Sequence, residues 1–252
     1  MVFVIASNIT TRNPEVDCIF KSLQSEDLKL SGTAARELKY LAGQCIEAGA
    51  DAIEINLQQH EDQPETMRAA VKIIQEITDR PLCLSTNKAE VLEAGIEACQ
   101  TPPIINYISL EEARLRDMFP LIARHHARVV LLVSTPDQPA DAREMLAKAA
   151  ILVGAAYAAD IPNEHIIIDP GLIHITLDGG QRHLAEIREF LKALPDAFEP
   201  PVHSTCWLAN ASSGARPGLR STIESALFTY AGGVGAFLGF LGCPRPRPSP
   251  DH

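Results

Sequence analysis

Short apolar runs rich in Ile, Val and Leu alternate along this chain with longer segments in which apolar residues recur every three or four positions. The short runs lie at residues 2–6, 52–56, 81–84, 104–107, 128–133, 165–169, 201–207 and, more faintly, 234–241, and they read as strands. The longer segments read as helices with one apolar face. Residues 66–77 place Met67, Val71, Ile74 and Ile77 on one side, and residues 88–99 do the same with Val91, Leu92, Ile96 and Cys99. Residues 184–194 carry Leu184, Ile187, Leu191 and Leu194, and residues 219–230 carry Ile223, Leu227 and Tyr230. A helix over 111–125 is expected to open on a capping box from Ser109 to Glu112, and residues 140–160 read as a long Ala-rich helix.

Strands that alternate with helices call for a parallel sheet. Eight such runs in 252 residues fit a single closed TIM-type (β/α)8 barrel better than an open sheet. The alternative is a doubly wound Rossmann-like sheet, but no G-x-G-x-x-G turn follows any of the strands, and the run GGVG at 232–235 reads as a turn. After the eighth run the chain continues as CPRPRPSPDH, which cannot form a helix. The expected organisation is a barrel domain over 1–242, without a regular last helix, and a Pro-rich tail over 243–252. The missing helix would leave apolar surface for a partner subunit to cover.

Composition narrows the chemistry. Apolar residues make up 46% of the chain and aromatics only 5%, so the core is aliphatic. A net charge of -10 argues against a nucleic-acid partner. Cys18, Cys45, Cys83, Cys99, Cys206 and Cys243 show no C-x-x-C spacing, and no histidines pair at i,i+4, so no bound metal is expected. The opening run VFVIA has neither a basic segment before it nor the length of a membrane span, and the cytoplasm is the expected compartment.

In a barrel of this type the C-terminal strand ends face the active site. Read in order, those ends carry Asn8, Asn56, Ser85, Asn106, Ser134 and Asp169, with Asn210 beyond the seventh. Side-chain amides donate and accept at once, which suits a heterocycle with alternating N–H and C=O groups. Phosphoryl transfer would need basic residues and metal-binding carboxylates instead. Asn after a strand also serves as a plain turn former. Glu54 reads either as a pocket carboxylate or as one half of an ion pair inside the barrel, and Asn87 as a cap for the next helix.

Four segments then resemble the pterin-binding enzymes: GADAIEIN (49–56), LCLSTNKAEVLEAGIEAC (82–99) leading into IIN (104–106), IIIDPG (166–171), and LANASSG (208–214) leading to Arg220. Their order and spacing resemble in particular the methyltetrahydrofolate:corrinoid methyltransferases. That resemblance implies a methyltransferase that moves the N5 methyl group of methyltetrahydrofolate to cobalamin or a related corrinoid. No D-x-H-x-x-G motif occurs in this chain, so the corrinoid would belong to a partner protein. It also implies a homodimer. Asp169 takes the position of a carboxylate against the aminopyrimidine edge of the pterin, Asn106 that of a pterin-binding amide, and Asn210 that of the amide reaching N5. Asn8, Asn56, Ser85 and Arg220 complete the implied binding set.

One position departs from the family text. Ser85 stands where these methyltransferases carry an aspartate at the end of strand three. A hydroxyl offers a neutral hydrogen bond of about 1 kcal/mol where a carboxylate offers roughly 1.5–3 kcal/mol. This leaves a non-catalytic or impaired pterin-binding protein as the second reading. Dihydropteroate synthase is the third, opposed by NLQQHEDQPET and VHSTCWLAN in place of the synthase's G-G-E-S-T-R-P-type loop and lysine-bearing segment.

Overall fold

The computed structural model describes residues 3–58, 63–135, 139–232 and 237–241. Eight parallel strands lie in sequence order around a closed ring. They are β1 (Phe3–Thr10), β2 (Ala52–Asn56), β3 (Leu82–Ser85), β4 (Ile104–Ile108), β5 (Arg128–Leu132), β6 (Ile166–Asp169), β7 (His203–Trp207) and β8 (Phe237–Leu241). β8 closes the ring by pairing with β7 (Ser204 with Phe237) and with β1 (Phe3 with Leu238). The Pro-rich tail and its proposed boundary at 242 lie outside the described residues, as do 233–236 of the expected glycine turn.

The helices form the outer layer: α1 (Pro14–Leu23), α2 (Leu28–Glu47), α3 (Pro64–Gln75), α4 (Ala89–Ala98), α5 (Glu112–Arg124), α6 (Ala142–Ala158), α7 (Gly180–Ala197), the short α8 (Leu208–Ser212) and α9 (Pro217–Gly232). Their starts follow local chemistry. Asn13 accepts from the Glu15 N–H ahead of Pro14, Asp27 accepts from the Lys29 N–H, and Asp141 and Glu144 form a reciprocal capping box on α6.

Two local expectations are corrected. Glu111, not Ser109, occupies the N-cap of α5 and makes no side-chain cap bond; the Ser109 hydroxyl donates to Glu111 instead, so the sequence box is spent between its own side chains. Lys88, not Asn87, precedes α4. The seventh strand stops at Trp207, where its run ends in the sequence, and Asn210 follows it in α8. The two N-terminal helices were not expected, although α2 buries Ala34, Leu38, Ala42 and Cys45 at helical spacing.

The strands divide the apolar residues into two sets. Ile53, Ile55, Leu84, Ile105 and Ile168 face outward and pack beneath the helices. Ile5, Ala52, Cys83, Ile104, Val130 and Ile167 fill the barrel interior, with Phe3, Tyr107 and Trp207 packed against them. Phe190 of α7 is fully buried in the outer set. Phe190→Ala is expected to lower unfolding free energy by about 3–5 kcal/mol, read as a drop in the denaturant midpoint at unchanged slope.

Candidate functional site

Side chains alternate across a strand, so two steps toward the C-terminus from each interior apolar residue leads to another inward-facing side chain. On β2 the series is Ala52, Glu54, Asn56. On β3 it is Cys83, Ser85, on β4 Ile104, Asn106, and on β6 Ile167, Asp169. A polar layer therefore rests on the apolar one at the end where parallel barrels place their active sites. All five of these polar residues are buried, with exposures from 0% at Glu54 and Ser85 to 4% at Asp169.

Glu54 is the centre of one half of this layer. Its Oε1 accepts from the Ser85 hydroxyl (2.5 Å) and from Asn106 Nδ2 (2.9 Å), with Asn56 Nδ2 at 3.5 Å. Asn106 Nδ2 also donates to the Ser85 hydroxyl oxygen at 3.1 Å. The parallel register sets Asn56 beside Ser85 and Glu54 beside Cys83, so Glu54 reaches Ser85 across one step of stagger. Among its described contacts Glu54 is held by neutral donors rather than by a salt bridge. Burial pushes its carboxyl above the usual carboxylate range, against the opposing pull of those hydrogen bonds and of the more distant Arg12 guanidinium.

Asp169 ends β6 in a turn that depends on glycine. Its Oδ1 accepts from the Gly171 N–H at 2.8 Å. Gly171 has φ +76°, and a Cβ there would stand 1.9 Å from the Ser134 carbonyl oxygen, so no other residue fits without displacing backbone. The ring Nε2 of His183 lies 3.1 Å from the Gly171 carbonyl oxygen, holding the same turn from α7. Burial pushes Asp169 up to about 6, opposed only by the Gly171 N–H.

The remaining expected residues spread around the rim. Asn8 is half-buried on β1, beside an irregularity in its pairing with β2 between Ala6 and Ile9. Asn210 is half-buried in α8, and its carbonyl accepts from the N–H and hydroxyl of Ser213. Arg220 is exposed on α9 and its Nε donates to the Ala215 carbonyl at 3.2 Å, which turns it toward its own loop. Glu54, Ser85, Asn106 and Asn56 are thus joined by hydrogen bonds, while Asp169 shares their layer and Asn210 and Arg220 stand outside it.

Two further residues support this end of the barrel. Arg114 of α5 is 8% exposed, lies 5.2 Å from the Tyr107 ring centroid, and donates to the carbonyls of Tyr107 (2.6 Å) and Thr86 (3.4 Å), tying the ends of β3 and β4 together. Its sequence signal was a charge on a helix, which ordinarily marks the solvent face. Ser134 after β5 accepts from the Ala140 N–H at 3.1 Å and supplies the carbonyl that crowds Gly171.

The displaced carboxyl gives a pH prediction. A free Asp titrates near pH 4, whereas Asp169 titrates at about 6, so in that window the folded chain holds a proton the unfolded chain has released. Stability falls as pH rises through the window, by about 3 kcal/mol from Asp169 alone. Asp169→Asn keeps the acceptor for Gly171 and removes this slope. Denaturant melts at pH 5 and pH 7.5 are expected to show the variant gaining stability relative to the parent chain at the higher pH.

Comparison with known proteins agrees with this geometry. The sequence profile of the family described as "Pterin binding enzyme" matches residues 25–236. A Eubacterium limosum protein, "Methylcorrinoid:tetrahydrofolate methyltransferase", is 25% identical over 174 residues, which cover 67% of this chain and 62% of that relative. The match therefore spans less than two thirds of the relative's length. Among solved structures, dihydropteroate synthase from Xanthomonas albilineans in complex with 7,8-dihydropteroate superposes with a TM-score of 0.63 at 20% identity, over 95% of this chain and 87% of that one. The same organism's synthase with 4-aminobenzoic acid gives 0.66 at 18% identity, over 95% and 86%. The Thermus thermophilus synthase in complex with 6HMPPP gives 0.65 at 17%, over 95% and 87%. At such identities the superpositions bear on the fold alone. With a barrel of this form, a buried amide and carboxyl layer at its C-terminal mouth, and a profile match over most of its length, the chain belongs to the pterin-binding enzyme family.

Proposed function

We propose that this barrel binds a reduced folate at its C-terminal mouth and moves the N5 methyl group between methyltetrahydrofolate and a corrinoid carried by a partner protein. The observation that carries the reading is the pair of buried inward positions Asn106 and Asp169, two strands apart on one rim. In its ionised form Asp169 accepts two N–H donors, the pattern of an aminopyrimidine edge. Asn106 offers an amide to the other side of a flat ring. The named activity of the Eubacterium limosum relative couples the same two chemical partners, a methylcorrinoid and tetrahydrofolate. One active-site arrangement serves both directions of such a transfer.

In the forward direction the N5–CH3 bond would break with its electron pair left on N5, which takes a proton from solvent, and the partner's cobalt(I) corrinoid would accept the methyl group by supplying the two electrons of the new bond. The contribution of this chain is to orient the pterin and to stabilise positive charge as it grows at N5. Asn210 fits that role because it stands outside the buried network, in the short α8 that follows β7. In this reading Asn8, Asn56 and Ser85 complete the pocket wall, and Arg220 is assigned to the folate tail. A homodimer and a corrinoid-bearing partner belong to the same proposal. Among the described residues no helix is long and apolar enough to cross a membrane.

A second reading, binding without turnover, is favoured by Ser85, which lacks the charge of the family's aspartate. One experiment separates the two: titrate the protein with methyltetrahydrofolate, then add cob(I)alamin and follow methylcobalamin formation. Binding followed by turnover supports transfer, binding alone supports the second reading, and no binding removes both. Asp169→Asn is expected to weaken methyltetrahydrofolate binding by about 10- to 100-fold, the worth of a charged hydrogen bond. Asn210→Ala is expected to spare binding and slow methyl transfer by about 10²–10³-fold.

A further inference from the structure

Two buried oxygens in the polar layer have no partner among the described residues: Glu54 Oε2 and Asn106 Oδ1. They belong to side chains already joined, since Asn106 Nδ2 donates to Glu54 Oε1 at 2.9 Å. Each is the far atom of a group whose other atom is fully engaged. Oε1 of Glu54 takes the Ser85 hydroxyl and the Asn106 amide, with Asn56 at longer range, so it acts as an acceptor. A buried polar atom left without a partner carries a desolvation cost, and two such atoms on hydrogen-bonded neighbours are the atoms a ligand edge would satisfy.

The protonation state follows from the same geometry. Glu54 is fully buried, and its charged form lacks the solvation that would hold it. With Oε1 occupied by donors, a proton on this carboxyl resides on Oε2. The layer then offers one O–H donor beside one amide C=O acceptor.

We propose that Glu54 binds the substrate as a neutral carboxylic acid, Oε2–H donating to a ring-nitrogen lone pair while Asn106 Oδ1 accepts the adjoining ring N–H, and so fills the place of the carboxyl that Ser85 lacks. The inference rests on the pterin reading above and deepens it: the ligand class is a fused nitrogen heterocycle whose edge sets an acceptor nitrogen next to an N–H. Ser85 then has a defined part. Its hydroxyl donates to Glu54 and accepts from Asn106, fixing both side chains in the donor–acceptor arrangement. An aspartate at that position would set two carboxyls against each other, so Glu54 and Ser85 form a matched pair.

The groups facing Glu54 are Asn56 on its own strand, Ser85 and the Cys83 thiol from β3, Asn106 from β4, and the distant Arg12 guanidinium after β1, which donates to Gln58 at 2.7 Å. Asp169 titrates at about 6 and affects binding with the opposite sign, because its ionised form binds the other edge. The pH effect of Glu54 is therefore read as a difference between variants.

The test is calorimetric binding of 5-methyltetrahydrofolate, under anaerobic conditions, from pH 5.5 to 8.5. Relative to Glu54→Gln, whose amide donates without titrating, the parent chain is expected to lose affinity as pH rises, approaching about tenfold per pH unit once Glu54 ionises. Glu54→Ala is expected to bind about 10- to 100-fold more weakly at pH 6. Ser85→Asp is expected to weaken binding in the parent chain and to restore it in the Glu54→Gln background, a non-additive pair. The proposal is overturned if Glu54→Ala binds like the parent, if Glu54→Gln keeps the parent's pH slope, or if Ser85→Asp acts equally in both backgrounds. Absence of binding by the parent chain at every pH overturns the pterin reading and this inference together, whereas the former three results leave the pterin reading standing.

Discussion

Two carboxyl groups are buried inside a parallel barrel with neutral donors as their immediate partners, and this constraint organises the rest of the mouth. Glu54 is held by a hydroxyl and side-chain amides, Asp169 by the Gly171 N–H of its own turn. Carboxylates in such surroundings are costly to charge, so each is displaced upward toward neutrality. The surrounding structure serves to keep them there. Arg114 fastens the strand ends beside Glu54 through backbone carbonyls, and Gly171, crowded by Ser134, lets the chain fold back onto Asp169.

Closure of the barrel makes the burial possible. Eight strands close around an interior layer of Ile, Val, Ala and Cys side chains, and the polar layer rests on it. The outer layer of Ile, Leu and Val under the helices secures the ring, and Phe20 and Phe190 fill it where helices meet. Stability is thus concentrated outside the ring and chemistry inside its upper rim.

Several features were legible in the text of the chain. The seven strands before β8 fall within a few residues of the runs marked by Ile and Val, because period-two apolar runs flanked by turn residues have few other ways to bury themselves. Asn106 and Asp169 were marked as polar residues at the C-terminal ends of those runs. The helix starts were less legible. Ser109 and Glu112 spell a capping box, yet Ser109 bonds to Glu111, because several short polar side chains compete for the same orphan N–H groups and small differences in chain direction decide among them. The second of the two helices between β1 and β2 went unmarked because its exposed Leu28, Leu30 and Tyr40 blur an apolar face that only Ala34, Leu38, Ala42 and Cys45 define.

By itself the sequence determined the order of the strands, most of the helices between them, and the presence of amides and carboxyls at the C-terminal strand ends. These are consequences of local periodicity, which needs no knowledge of neighbours. The tertiary structure alone decided that Glu54 meets Ser85 and Asn106 rather than a cation, which of its oxygens stays without a partner, and that Asn210 stands apart from the buried network. Those outcomes depend on register between strands separated by 31 and 52 residues of chain, and on how far water is excluded once the ring closes. Neither quantity is a property of any single segment.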